Sequence, residues 1–268
     1  MLKHLSNMQK VSVYLVLVLA IVFMIVVLPI EQSTSLFMFV PFVAVLITML
    51  LSGEMFTKAG WKQLGFHRFQ LKTFLGALVI PMIPILIGYI IVWLAGIGTF
   101  ELEKEYEGRG VFLFVGFFIT LIASSLTVTL GEEIGWRGYL AAKLRSIGLE
   151  KALLLNGFIW GLFHLPIILF TDIYHTDVNL LTFIPMFMTT VTLAGAFITY
   201  VRYASGSIWP AIIAHSAHNV VWNYGELFTQ NPHPVVTYIT GDAGAVLIIF
   251  YLIIFIWIIK KSKGKKLL

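Results

Sequence analysis

Residues 111–143 read VFLFVGFFITLIASSLTVTLGEEIGWRGYLAAK. Nineteen apolar or small residues lead into Leu130, then Glu132, Glu133 and Arg137, and GYLAA resumes the apolar pattern before Lys143. The apolar part is long enough to cross a bilayer, which takes about 20 residues. A charge at the centre of a membrane helix costs roughly 2.5–3.5 kcal/mol on insertion scales. Three unpaired charges would oppose insertion by roughly 7–10 kcal/mol. Ending the span at Leu130 would avoid that cost, but GYLAA continues it and Lys143 and Arg145 mark the better edge. Glu132 then lies roughly 16 Å below that edge at 1.5 Å per residue, so the stretch predicts a membrane helix with an embedded carboxylate.

The rest of the chain has the same character. It has 268 residues, 59% hydrophobic and 12% charged, where soluble domains carry about 25% charge. The expected fold is an all-α, polytopic bundle forming one membrane-embedded domain over residues 1–268. Eight spans are expected, at about 11–30, 36–51, 73–95, 115–142, 152–170, 180–201, 207–223 and 243–260. The second is short for a full crossing. The first follows Lys3 and Lys10 but precedes no small-x-small cleavage site, and it reads as a retained span rather than a signal peptide.

Eight spans sort the 18 Lys and Arg sharply: all but Lys104 and Arg109 fall on the side of the termini. That asymmetry predicts cytoplasmic termini in a plasma-membrane protein. It also accounts for the net charge of +5 without nucleic acid, since the basic residues flank apolar runs. The chain has no Cys, which excludes disulfides, a thiol nucleophile and thiolate metal ligands.

Two further spans carry polar groups at comparable depth. His164 is about twelve residues into the fifth and His215 about eight into the seventh, roughly 18 and 12 Å deep. Glu133 and Arg137 are i,i+4 and are expected to pair, leaving Glu132 pointing about 100° away. Trp160 stands i,i+4 to His164, where its indole is expected to hold the imidazole's rotamer, and Asn156 continues that face. His215 and Asn219 are likewise i,i+4. Taken singly, these are a structural salt bridge and ordinary interhelical hydrogen bonds, the reading given to His218. Gly157 and Gly161 form a small-x-x-x-small pair expected to pack helices. Together, a spare carboxylate, two histidines and an amide at one level in an apolar medium form a functional-site candidate.

That set suits water activation by a carboxylate base with polar donors for an oxyanion. It equally suits a zinc site of Glu132, His164 and His215 with one position open for water. The same charges in a small transporter would serve as an ion or proton pathway. There is no G-x-S-x-G and no H-E-x-x-H.

Three short motifs, EEIGWR (Glu132, Glu133, Arg137), WGLFH (Trp160, His164) and HSAHN (His215, Asn219), occur in this order. The chain resembles, over about residues 115–223, the CPBP family of CAAX-type intramembrane proteases and bacteriocin-processing or self-immunity proteins. The resemblance implies a membrane endopeptidase, with Glu132 as the base on water, His164 as its partner, and His215 with Asn219 at the oxyanion. Family members are often named metalloproteases; the expectation here is metal-independent chemistry, with zinc as the alternative. Span count, positive bias and absence of Cys read as bacterial. Peptide maturation, self-immunity or quorum sensing is therefore expected, on membrane-associated protein or peptide substrates. The oligomeric state is not legible from the sequence.

Overall fold

The computed structural model describes residues 4–28, 34–67, 71–102, 106, 108–172 and 178–263. Lys3, Arg68, Lys104, Lys265 and Lys266 of the charge pattern lie outside the described residues. Among those residues the protein is almost wholly helical, and the helices follow the expected spans.

Helix α1 (Asn7–Val27) starts at a capping box: the Ser6 hydroxyl accepts from the Gln9 amide and the Gln9 side chain accepts from the Ser6 amide. Helix α2 (Thr34–Ser52) has 19 residues, about 28 Å at 1.5 Å each, so the second span is full length. After the short α3 (Lys58–Lys62), α4 (Leu71–Val79) and α5 (Met82–Leu94) form one span interrupted at Pro81, whose missing N–H breaks the ladder. Then come α6 (Gly110–Leu126), α7 (Val128–Glu133) and α8 (Ala141–Leu144), followed by α9 (Leu149–Phe170), α10 (Leu180–Ser205), α11 (Trp209–Leu227) and α12 (Ala245–Lys263).

Seven of these segments are long and apolar enough to cross a membrane, and α11 is not among them. It carries His215, Ser216, His218, Asn219, Asn223 and Glu226, which lower its hydropathy. It packs against α4, α5, α6, α7 and α10, so its polar groups meet protein rather than lipid.

Contacts between the connections define two ends of the bundle. At one end Lys10 and Lys143 pair with Glu54, the Arg202 Nη2 donates to the Gln63 carbonyl at 2.8 Å, and the Ile208 amide donates to the Gly65 carbonyl. This is the lysine-rich end. At the other, strands β1 (Thr99–Phe100) and β2 (Thr229–Gln230) pair antiparallel, Trp93 Nε1 donates to Thr229 Oγ1, and the Tyr224 hydroxyl donates to the Leu113 carbonyl.

The main core cluster runs from Val11 to Ile258, and a smaller one joins Leu121, Ala217 and Val220 between α6 and α11. Outward-facing Val16, Leu19, Phe23, Phe112, Ile119 and Ile253 remain more than half exposed, as a lipid-facing surface requires. Close helix crossings hold the bundle together. A Cβ on Gly157 would lie 2.2 Å from the Thr192 carbonyl oxygen, and one on Gly195 would lie 2.7 Å from the Gly157 Cα. The α9–α10 crossing thus requires glycine on both sides. Gly161 packs on Met188, so the expected Gly157/Gly161 packing face is real.

The fourth span is not the single α-helix expected over 115–142. Helix α6 stops at Thr127 (φ −126°, ψ −101°), and residues Ile134–Leu140 form a π-helix. A π-helix displaces carbonyls from the α-helical ladder and is common at functional sites. Three side chains from neighbouring helices take up carbonyls of this segment or its exit. Asn156 Nδ2 donates to Trp136 O at 2.9 Å, Arg202 Nε to Arg137 O at 3.1 Å, and the Tyr203 hydroxyl to Ala141 O at 2.6 Å. Arg202, expected only as a cytoplasmic charge, is therefore a structural donor.

Candidate active site

The π-helical segment carries Arg137 and follows directly on the two glutamates. Arg137 Nη1 donates to Glu133 Oε1 at 2.7 Å, with both side chains fully buried. The expected pair therefore forms, because a residue four positions on stays near the same face in either helix type. The Arg137 guanidinium also lies 4.4 Å from the Trp160 ring centroid and reaches the Gly195 carbonyl at 3.5 Å.

The expected isolation of Glu132 from that pair is only partial. His215 Nδ1 stands 2.9 Å from Glu133 Oε1 and 3.8 Å from Glu132 Oε2. One imidazole thus joins the two carboxylates, and Glu133 is shared between Arg137 and His215. Because a carboxylate only accepts, His215 Nδ1 carries the proton in this contact.

Trp160 corrects a second expectation. Its indole lies edge-on to the His164 ring at 5.7 Å, yet its Nε1–H donates to Glu132 Oε2 at 3.2 Å. His164 is oriented instead by the Trp160 backbone, with Nδ1 2.8 Å from that carbonyl oxygen. A carbonyl cannot donate, so Nδ1 is protonated and Nε2 holds the lone pair of the neutral ring. Asn156 does not line the site; it anchors the π-helix and accepts from Thr199 Oγ1 at 3.0 Å.

Glu132, His164, His215 and Asn219 all line one cavity of about 430 Å³ among α2, α6, α7, α9, α10 and α11. Glu133 and Arg137 do not line it; they sit behind Glu132 and His215. The structure therefore divides the six predicted residues into four that meet the cavity and two that support them. The partner of His218 is not another helix, as expected, but a connection residue: its Nε2 lies 3.3 Å from Asp242 Oδ1, and both residues line the cavity. Asp242 lies in the connection before α12, where no helical periodicity points to it.

For a metal, the described residues bring together donor atoms of Glu132, Glu133 and His215 within 4.8 Å of one another. His164 is not in this group, which differs from the candidate set of Glu132, His164 and His215 by containing Glu133. The arrangement does not fit a divalent ion. The ligand oxygen of Glu133 is bonded to a guanidinium, and His215 Nδ1 already uses its proton on the same oxygen. A cation there would break both bonds and face Arg137.

Residues 114–221 match the family described as Rce1-like, type II CAAX prenyl endopeptidase Rce1-like. The chain is also 33% identical over 76 residues to a protein named CAAX prenyl protease 2 from Methanococcus maripaludis. That alignment spans 28% of this chain and 28% of the relative's length. All six site residues fall within 114–221, the segment over which the chain is similar to this family.

Proposed function

We propose that this multi-pass membrane protein is an intramembrane endopeptidase that hydrolyses peptide bonds with water activated by Glu132. The observation that carries the reading is the convergence of Glu132, His164, His215 and Asn219 on one cavity, backed by the buried Glu133–Arg137 pair. Glu132 takes the proton from water, and His164 Nε2 accepts from that water and aims it at the carbonyl. Asn219 and His215 donate to the developing oxyanion, the interaction that usually contributes most in acyl transfer. To donate through Nε2 while Nδ1–H stays on Glu133, His215 must be an imidazolium. Its charge and that of Arg137 balance the two carboxylates, so the buried set is neutral as a whole. No step requires a metal.

The lysine asymmetry supports cytoplasmic termini in the plasma membrane. Maturation of a membrane-associated peptide, self-immunity or quorum sensing suits such an enzyme. An ion or proton pathway would need a route to both ends of the bundle, and among the described residues the cavity is lined toward one of them.

The test is purified protein in detergent with a quenched-fluorescent peptide library. Cleavage that disappears in Glu132→Gln supports the proposal. Absence of cleavage together with ion flux in liposomes would instead establish the pathway.

A further inference from the structure

One buried hydroxyl beside the carboxylates has no part in the chemistry assigned to Glu132, His164, His215 and Asn219. Tyr14 on α1 is 0% exposed, and its Oη has no hydrogen-bonding protein partner. Glu133 Oε2, Trp136 Nε1 and Arg137 Nε, on or next to the π-helix, are in the same condition. A buried polar atom left unpaired is costly, and such atoms are normally served by protein or by ordered water.

Local packing drives this hydroxyl against the catalytic helix. Val11, Tyr14 and Val18 belong to the buried face of α1. Lys10, one turn before Tyr14, pairs with Glu54. Glu54 also pairs with Lys143 and accepts from the Tyr139 hydroxyl at 3.2 Å, so α1 is clamped to the far end of the π-helix. The Tyr14 ring meets Trp136 edge-on at 5.9 Å and Tyr139 at 5.5 Å. Its hydroxyl touches the backbone there: a Cβ on Gly135 would lie 2.5 Å from Tyr14 Oη. A side chain at 135 would push the hydroxyl away. Gly135 and Trp136 follow Glu132 by three and four residues, which places them on its side of the helix. Glu132, Arg137 and Glu133 all act electrostatically on the hydroxyl, Glu132 the most strongly of the three. One oxygen of Glu132 and one of Glu133 lie within 4.8 Å of each other, a gap that a single water spans. Trp160 takes one acceptor site on Glu132 Oε2, and both carboxylates keep further sites for such a water.

We propose that Tyr14 is a positioning residue for the general base: its hydroxyl donates to a buried water that in turn donates to Glu132 and to Glu133 Oε2. A donor that feels its acceptors but stands beyond bonding distance is joined to them by water. A buried water needs two to four polar partners, and these three groups supply them. The link holds the Glu132 carboxylate against the pair behind it, so that its remaining acceptor sites stay aimed into the cavity. Tyr14 lies outside residues 114–221, so the base is held in part by a helix that the matched segment does not contain.

The test is Tyr14→Phe in the full chain, which keeps the ring against Trp136 and Tyr139 and removes only the hydroxyl. In detergent, kcat for a fluorogenic peptide is expected to fall roughly tenfold, about 1.4 kcal/mol, with KM nearly unchanged and Tm slightly lower. A parental kcat, a loss carried by KM alone, or a raised Tm such as removal of an idle buried hydroxyl would give, overturns the proposal. The second arm needs no cleavage: Tm is compared for the parent, Tyr14→Phe, Glu132→Gln and the double variant. A link to the carboxylates makes Tyr14→Phe lower Tm less in the Glu132→Gln background than in the parent. Additive shifts overturn the proposal. The kcat arm rests on the protease reading and the Tm arm does not. If the parent cleaves no peptide while the Tm shifts are non-additive, the protease reading fails and the Tyr14 link stands.

Discussion

Replacing Glu132 and Glu133 separately by Gln distinguishes a base from its support. Glu132 is 2% exposed, accepts from Trp160 Nε1 at 3.2 Å and lines the cavity. A Gln keeps an oxygen for the indole and nearly the same shape. It also removes one of two carboxylates whose donor atoms lie within 4.8 Å. Two negative charges at that distance repel by about 3.5 kcal/mol at an effective dielectric of 20. The lost attraction to a His215 imidazolium at 3.8 Å is about 4.4 kcal/mol at the same dielectric, and the desolvation cost that Glu132 no longer carries offsets the difference, so the folded state should be about as stable as the parent. Loss of the general base should lower kcat by roughly 10²–10⁴-fold. Glu133 differs because its Oε1 serves both Arg137 at 2.7 Å and His215 at 2.9 Å. Glu133→Gln leaves a fully buried guanidinium uncompensated, a loss of about 3–5 kcal/mol. By size scaling, that lowers Tm by roughly 6–20 °C. Thermal unfolding in detergent and cleavage of one fluorogenic peptide measure both effects. Near-parental turnover in Glu132→Gln beside a folded but inactive Glu133→Gln would show the roles to be reversed. A large fall in Tm for Glu132→Gln would refute the electrostatic reasoning.

Asn219→Ala should lower kcat by roughly 10²–10³-fold, the usual loss for one oxyanion donor, with unfolding temperature nearly unchanged. Gly157→Val puts a Cβ 2.2 Å from the Thr192 carbonyl and should cost about 1–3 kcal/mol or more, seen as a lower Tm. Gly161→Ala meets only the flexible end of Met188 and should be milder. At the lysine-rich end, burial pushes the Glu54 carboxyl up, but hydrogen bonds from Lys143 and Lys10 outweigh it and hold the group below the ordinary carboxylate range. Its contribution is therefore present above the unfolded value of about 4.3 and is lost as pH falls below that through the lower folded value. Unfolding scans across that window should show a smaller acid loss in Glu54→Gln. Activity should survive strong chelation; loss with a chelator and stoichiometric recovery with zinc would contradict the metal-independent mechanism.

What the sequence by itself determined rests on short-range rules. Span length and hydropathy place the helices because each must satisfy its own backbone in lipid. The Glu133–Arg137 pair was legible because four residues of helix bring the two side chains together whatever packs around them. Gly157 and Gly161 were legible for the same local reason. Seven of eight spans follow from apolarity, whereas α11 is carried by neighbours that shield its polar face. Tertiary structure decided the rest, since those contacts join residues far apart in the chain. The sequence treats His215 as equidistant from either glutamate; only the α7–α11 packing puts its Nδ1 on Glu133. The i,i+4 spacing assigned Trp160 to His164, whereas the packing of α9 against α7 puts its N–H on Glu132. The break at Thr127 and the π-helix have no periodic signature, because they are stabilised by Asn156, Arg202 and Tyr203 from other helices. The direction of the cavity is likewise a property of the assembled bundle: the buried layer around Arg137 closes one end, and the start of α2, the end of α11 and Asp242 before α12 line the other.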